Sequence, residues 1–333
     1  MDRTQIALLK RRHLFQDGWG DLSYAEQVSS ELRDPGPVVH IDPVLSEPTR
    51  VLGADLRVGE FVSPDPRLPA EVRSVRFWWL HPADQEVRGV IVMPASWGDE
   101  GPTMRGRQVG QLVRRGVSVV IMENPFYGCR RRVGQNAGGL RTVSDFILMQ
   151  GASFIEHRSM VAWLSARVDA PLALAGYSMG GHLASAVAAI TPGVPVVAMA
   201  PPLAPSEPFA HGRLGVCIDW GALGPHEPSS RTRFMEVMYA FDLRKLQKIR
   251  DPGRSRVLGL WQDGMVPRHH ARVLANEWDV PFRWVKVGHV GAVISQTGAF
   301  RQALLEVLGI PPKTRWPIMS GVVALPVWSS TDR

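Results

Sequence analysis

The stretch at residues 171–190, PLALAGYSMGGHLASAVAAI, constrains the chain more than any other. A short apolar run, Leu172 to Ala175, leads into Gly176-Tyr177-Ser178-Met179-Gly180-Gly181. Small and apolar residues then recur at helical spacing through Leu183, Ala184, Val187 and Ala188. The pattern is strand, sharp turn, helix, with a serine at the apex, and it matches G-x-S-x-G. Side chains two residues before and two after such a serine would collide with the strand and the helix, so glycine stands at 176 and 180. A helix opening at the turn aims its free N–H groups and positive end at the serine. The Met179 N–H is therefore a candidate for half of an oxyanion hole. The bland alternative is a Gly-rich turn with an incidental serine. The apolar strand before it and the Ala-rich helix after it weigh against that.

Around this element, apolar runs alternate with helical patterns. Strands are expected at 75–80, 89–93, 117–122, 194–199, 256–261 and 282–287. Helices are expected at 103–115, 143–168 (broken or bent near Gly151), 269–277 and 296–308. The run GVIVM at 89–93 is apolar throughout, as in a strand buried on both faces. The alternation predicts an α/β architecture with a mostly parallel central sheet and right-handed crossovers, helices covering both faces. Residues 1–74 read as an N-terminal elaboration, with a short helix at 4–14. The main domain spans 75–310, and residues 311–333 form a C-terminal tail. Residues 203–250 break the rhythm with Pro and Gly clusters and a helical stretch at 232–249, and are expected to form a lid over the strand ends. Leu214, Val216, Ile218, Trp220, Phe234, Val237, Met238, Tyr239 and Phe241 either line an acyl pocket there or pack the lid onto the body.

A serine hydroxyl needs a base, and the base needs an acid. In a parallel sheet the strand C-termini share one edge, so loops far apart in sequence meet there. Asp263 follows the strand at 256–261 in the turn DGMVP, where it could also serve as a plain turn residue. His289 follows the last strand after Gly288. The other histidines stand at positions that suit a base less well. The second oxyanion donor should come from the loop after Met93. Pro94 has no N–H, which leaves Ser96 or Trp97.

Two cysteines, Cys129 and Cys217, are too few for a disulfide framework and have no metal-ligand spacing. The apolar run at 6–9 is too short for a signal core or a membrane span, so a cytoplasmic location is expected. Net charge is +7, carried by scattered Arg clusters such as Arg130-Arg131-Arg132. No nucleic-acid motif accompanies them, so nucleic acid is not expected as a partner; peripheral contact with an anionic membrane surface stays open.

Several pieces resemble one family. LFQDGWG from Leu14, VHID from Val39, GEFVSP from Gly59, ENPFYGCR from Glu123 and VSDFILMQGA from Val143 are its more specific marks. SMGGH from Ser178, the Asp-Gly-x-Val-Pro turn at Asp263 and the Gly-His at His289 complete the set. The chain resembles the alpha/beta hydrolase domain-containing protein 18 family. That resemblance implies an α/β-hydrolase fold, a Ser178–His289–Asp263 triad and esterase- or lipase-like activity. MPASWGDEG departs from the His-containing, Gly-rich loop expected on the oxyanion side. The reading is a serine hydrolase of a carboxylic ester, a small-molecule or lipid acyl compound, needing no metal or organic cofactor. The rival readings are an acyltransferase with the same triad and a non-catalytic binding protein on the same fold.

Overall fold

The computed structural model describes residues 13–311 apart from Leu52, Ala137 and Gln296. The helix expected at 4–14 and the tail at 311–333 therefore lie almost wholly outside the described residues.

Among the described residues, one ten-stranded sheet runs through the protein. Its strands are β1 (Val44–Leu45), β2 (Thr49–Val51), β3 (Ala54–Val62), β4 (Ser74–Pro82), β5 (Gly89–Met93), β6 (Val117–Met122), β7 (Leu172–Tyr177), β8 (Val196–Met199), β9 (Arg256–Leu260) and β10 (Phe282–Val285). Their order is β1-β3-β4-β6-β5-β7-β8-β9-β10, with β2 also paired to β3. From β6 through β10 every pairing is parallel, while β1 to β4 join antiparallel. The mostly parallel sheet is thus as expected, and the N-terminal elaboration extends it on one side. Before residue 75 the sequence suggests a strand only from Gly59, in GEFVSP, which is the end of the longer β3; β1 and β2 were missed, because two- and three-residue strands carry no readable period.

Alternate residues of the central strands feed two separate cores. Val90, Val92, Val120 and Leu174 face one, while Ile91, Met93, Val119 and Ala173 face the other. The first core takes in the long helix Val143–Ser165 and the helix Met179–Ala189. The second takes in Thr103–Val109 and Thr297–Val307. This is why β5 and β6 are buried throughout and apolar apart from Ser118, whose hydroxyl accepts from Trp79 Nε1 at 2.7 Å.

Four expectations need correction. The long helix is not broken at Gly151. A Cβ there would lie 2.6 Å from Val28 Cγ2, so the glycine admits the helix Ser23–Arg33 against it. The helix expected at 103–115 is α-helical to Val109 and continues as a 3₁₀ segment, Gly110–Arg115, ended by left-handed Gly116. The helix expected at 232–249 starts earlier, with Pro228 in its first turn, and runs Glu227–Met238 before two 3₁₀ turns. The last strand stops at Val285, and a short helix, His289–Ser295, precedes the closing one.

The segment after β8 is built into the body. Phe234, Met238 and Phe241 are fully buried, and Leu214, Ile218 and Trp220 join the same core, whereas Val216 and Tyr239 are exposed. The N-terminal segment fastens it: Leu14 N–H donates to Cys217 O, Asp219 N–H to Leu14 O, and Trp19 Nε1 to Leu223 O at 2.7 Å. Of the two expectations for these apolar side chains, packing describes most of them.

Candidate active site

Ser178 stands at the end of β7 with φ 55° and ψ −125°, a backbone conformation that L-residues rarely adopt. The surroundings hold it there: its N–H donates to Met199 O at 2.9 Å, and its carbonyl accepts from His182 N–H at 3.0 Å. A Cβ at Gly176 would lie 2.0 Å from the Gly180 carbonyl oxygen. One at Gly180 would lie 2.8 Å from Pro94 O and 3.2 Å from Ala95. The second glycine thus lets the loop after β5 press against the first turn of the elbow helix.

His289 Nε2 lies 3.0 Å from Ser178 Oγ, and His289 Nδ1 lies 2.8 Å from Asp263 Oδ2. Asp263 Oδ1 accepts from the N–H groups of Met265 and Val266, both at 2.9 Å. Imidazole and carboxylate are almost fully enclosed. The structure therefore brings Ser178, His289 and Asp263 into one hydrogen-bonded line at the C-terminal edge of the parallel strands. Met179 opens the elbow helix beside Ser178.

The loop after β5 is tightly held. Ala95 donates its N–H to Asn124 Oδ1 at 3.1 Å and accepts at its carbonyl from Asn124 Nδ2 at 3.2 Å. The Ser96 hydroxyl donates to Tyr177 O at 2.7 Å, and Gly98 N–H donates to the Tyr127 phenol oxygen at 3.0 Å. The Trp97 ring meets Phe209 edge-on, centroids 5.5 Å apart. At the loop's base, Asp99 pairs with Arg105 at 2.9 Å, both buried, and Arg105 also donates to Met93 O and Gly101 O. The residues of ENPFYGCR thus form the cradle of this loop. Arg130 anchors them, donating to Glu123 O and pairing with Glu156 in a fully buried ion pair at 2.6 Å. Burial raises the Glu123 carboxyl, which sits against the Cys129 thiol at 2.9 Å, and burial likewise pushes that thiol up to about 12.

Sequence reasoning did not single out Asn124, Tyr127 or Tyr177. Their signal was position: all three stand within a few residues of a strand C-terminus on the edge that carries Ser178.

Two further buried histidines hold backbone carbonyls. His157 donates Nδ1–H to Ser153 O at 2.7 Å, and His182 does so to Pro202 O at 3.1 Å. Burial lowers both to about 4, so both are neutral near pH 7. Glu207, His269 and His270 place potential ligand atoms within 4.8 Å of one another. Leu203 N–H, however, donates to His270 Nδ1 at 3.3 Å, which puts that ring's proton on Nε2, 2.6 Å from Glu207 Oε2. A protonated nitrogen has no lone pair for a metal, so this pair is a hydrogen bond between helices.

A parallel sheet with a strained serine elbow, crossovers on both faces and an acid and a histidine on later strand ends defines the α/β-hydrolase class. Residues 12–230 match the family model Alpha/beta hydrolase domain containing 18, more than half of the chain, and the protein belongs to that family. The fold is also similar to an acetyl xylan esterase from a Paenibacillus species, with a TM-score of 0.56 and 17% identity over 88% of this chain and 99% of that one. Acetyl xylan esterase 1 from a Thermoanaerobacterium species gives 0.55 and 17% over 87% and 96%. An esterase from Pyrococcus furiosus gives 0.51 and 16% over 80% and 98%. On family and fold the chain is an α/β hydrolase, esterase-like in architecture. No described helix is long and apolar enough to cross a membrane.

Proposed function

We propose that the protein hydrolyses a carboxylic ester through an acyl-enzyme. One observation carries this reading: His289 bridges Ser178 Oγ at 3.0 Å and Asp263 Oδ2 at 2.8 Å in a single line. Ser178 attacks the carbonyl carbon as His289 Nε2 takes its proton. His289 then returns that proton to the leaving alcohol, and water repeats the sequence to release the acid. Asp263 keeps the Nδ1 proton facing itself, so that Nε2 is free as base. The oxyanion is held by Met179 N–H and by an N–H of Ser96 or Trp97. Ala95 is excluded from that role, because its N–H is committed to Asn124. No step of this sequence calls on a metal or organic cofactor.

Esterases stand among the neighbours of the same fold, in keeping with an ester substrate. The aromatic surroundings of the loop, Trp97 against Phe209 and Phe209 against Phe146 and Phe234, favour an apolar acyl group, including that of a lipid. A substrate of that kind, presented on an anionic membrane surface, would suit the basic charge of the chain.

The test is a panel of nitrophenyl and acylglycerol esters of graded chain length on the purified protein, with Ser178→Ala as control. Hydrolysis that Ser178→Ala abolishes is the expected result. Turnover surviving in that variant would overturn the assignment, and an acyl product appearing on an added alcohol in preference to water would make the enzyme an acyltransferase.

A further inference from the structure

The parts of the site ride on separate pieces of chain: the loop after β5, the elbow, and the helix that begins at His289. One residue touches all three. Tyr177 closes β7 and is the covalent neighbour of Ser178. Its carbonyl accepts the Ser96 hydroxyl at 2.7 Å. Its phenol donates to the backbone carbonyl of His289. Its ring lies against the His289 imidazole, centroids 4.9 Å apart and planes tilted by 43°. The side chain is buried, 5% exposed.

We propose that Tyr177 is a positioning residue that locks both the His289 imidazole and the Ser96–Trp97 loop to the nucleophile. The inference rests on the triad proposed above. A base must hold its nitrogen within hydrogen-bonding reach of the serine, and an error of about 1 Å can cost a hundredfold in rate. Asp263 meets one ring nitrogen of His289 and Ser178 the other, but both bonds lie along one line and leave the tilt of the ring about that line to its packing. The Tyr177 ring supports one face, and the phenol fixes the main chain from which the imidazole hangs. On the other side, the Ser96 hydroxyl is tied to the carbonyl directly before Ser178. That tie sets the spacing between the N–H groups of the loop and the N–H of Met179. The x of G-x-S-x-G is therefore a structural hub here, which its place in the motif does not require.

Tyr177→Phe keeps the ring contact and deletes the phenol. Rates of labelling by a fluorophosphonate probe, and turnover of ethyl and p-nitrophenyl butyrate, should be measured on the full chain. The expected result is kcat on the ethyl ester about tenfold lower, the worth of one hydrogen bond, with KM within about twofold. The deficit should be smaller on the nitrophenyl ester. Ethoxide must be protonated by His289 as it leaves, whereas nitrophenolate departs unaided. Ser96→Ala should instead slow both esters alike, since an oxyanion forms from each, and Ser96→Thr should restore the rate by keeping a hydroxyl.

Parent-like rates in Tyr177→Phe, or equal losses on both esters that follow the fraction of protein folded, would overturn the inference. Should Tyr177→Phe fail to fold, the Ser96 variants decide: Thr active and Ala slow supports the hub, and equal rates overturn it. Labelling that persists in Ser178→Ala brings down the triad reading itself. Loss of label there, beside full activity in Tyr177→Phe, brings down the positioning role alone.

Discussion

Asp263 divides its two oxygens between two tasks: Oδ2 faces His289 Nδ1 at 2.8 Å, and Oδ1 accepts from Met265 and Val266 N–H, each at 2.9 Å. The turn role and the role beside histidine are not alternatives, because the turn is what aims the second oxygen. Asp263→Asn can keep the turn with its carbonyl oxygen, so the melting temperature should change little. Its amide N–H then faces Nδ1 and selects the wrong imidazole tautomer. Turnover should fall toward the ~10⁴-fold loss known for a triad aspartate. A loss below about tenfold in steady-state assays would mean that His289 draws its orientation from elsewhere.

Gly180 faces the loop after β5, and a methyl there would press on Pro94 O at 2.8 Å and on Ala95. Asn124 clamps Ala95 from the other side, so the loop cannot simply step back. Gly180→Ala should cost about 1–3 kcal/mol of stability through overpacking. On the proposed mechanism it should also lower kcat more than KM, because the displaced N–H groups are those assigned to the developing oxyanion. Denaturant unfolding and steady-state kinetics on the same preparation check both halves.

What was legible in the sequence follows from the range of the interactions involved. The central parallel strands were readable because both faces of each are buried, as GVIVM shows, while the edge strand β10 carries only its aromatic and β-branched residues as a signal. The three polar residues of the site could be placed because a parallel sheet puts every strand C-terminus on one edge. Asn124 and Tyr127 were quoted for resemblance and not for chemistry. Their work is to hold a backbone segment about thirty residues earlier, and no local period records that. Gly151 misled for the same reason: its meaning lies in Val28, on another helix.

Burial makes acid a specific threat to stability. His157 and His182 are held to about 4 against an ordinary value of 6.5. Each is neutral in the folded protein while the unfolded chain takes up a proton, so stability present above pH 6.5 is lost as pH falls toward about 4. The slope is about 1.4 kcal/mol per pH unit for each residue within that window. Urea unfolding at pH 6.5 and 5.0 should show this loss, and His157→Asn should remove about half of the share due to the pair. An unchanged difference between the two pH values in that variant would assign the acid sensitivity to other groups.

The segment after β8 yields the last prediction, through a contrast between two of its phenylalanines. Phe241 is 1% exposed and packs the segment onto the body. Phe209, on the helix Ser206–Ala210, is the side chain of this segment whose ring meets Trp97, on the loop that faces Ser178. Phe241→Ala should therefore cost about 3–5 kcal/mol of stability, as a deep cavity does, and lower activity on every ester length alike. Phe209→Leu removes less volume but changes the support of Trp97, on the loop proposed above to hold the oxyanion. It should alter the ratio of kcat/KM between short and long acyl esters by about 1–3 kcal/mol of discrimination. Activity profiles over acetyl to decanoyl esters, taken with the melting temperatures, separate the two cases. If Phe209→Leu scales every ester equally, the acyl chain runs elsewhere, and the aromatic cluster around Trp97 serves only to hold the segment in place.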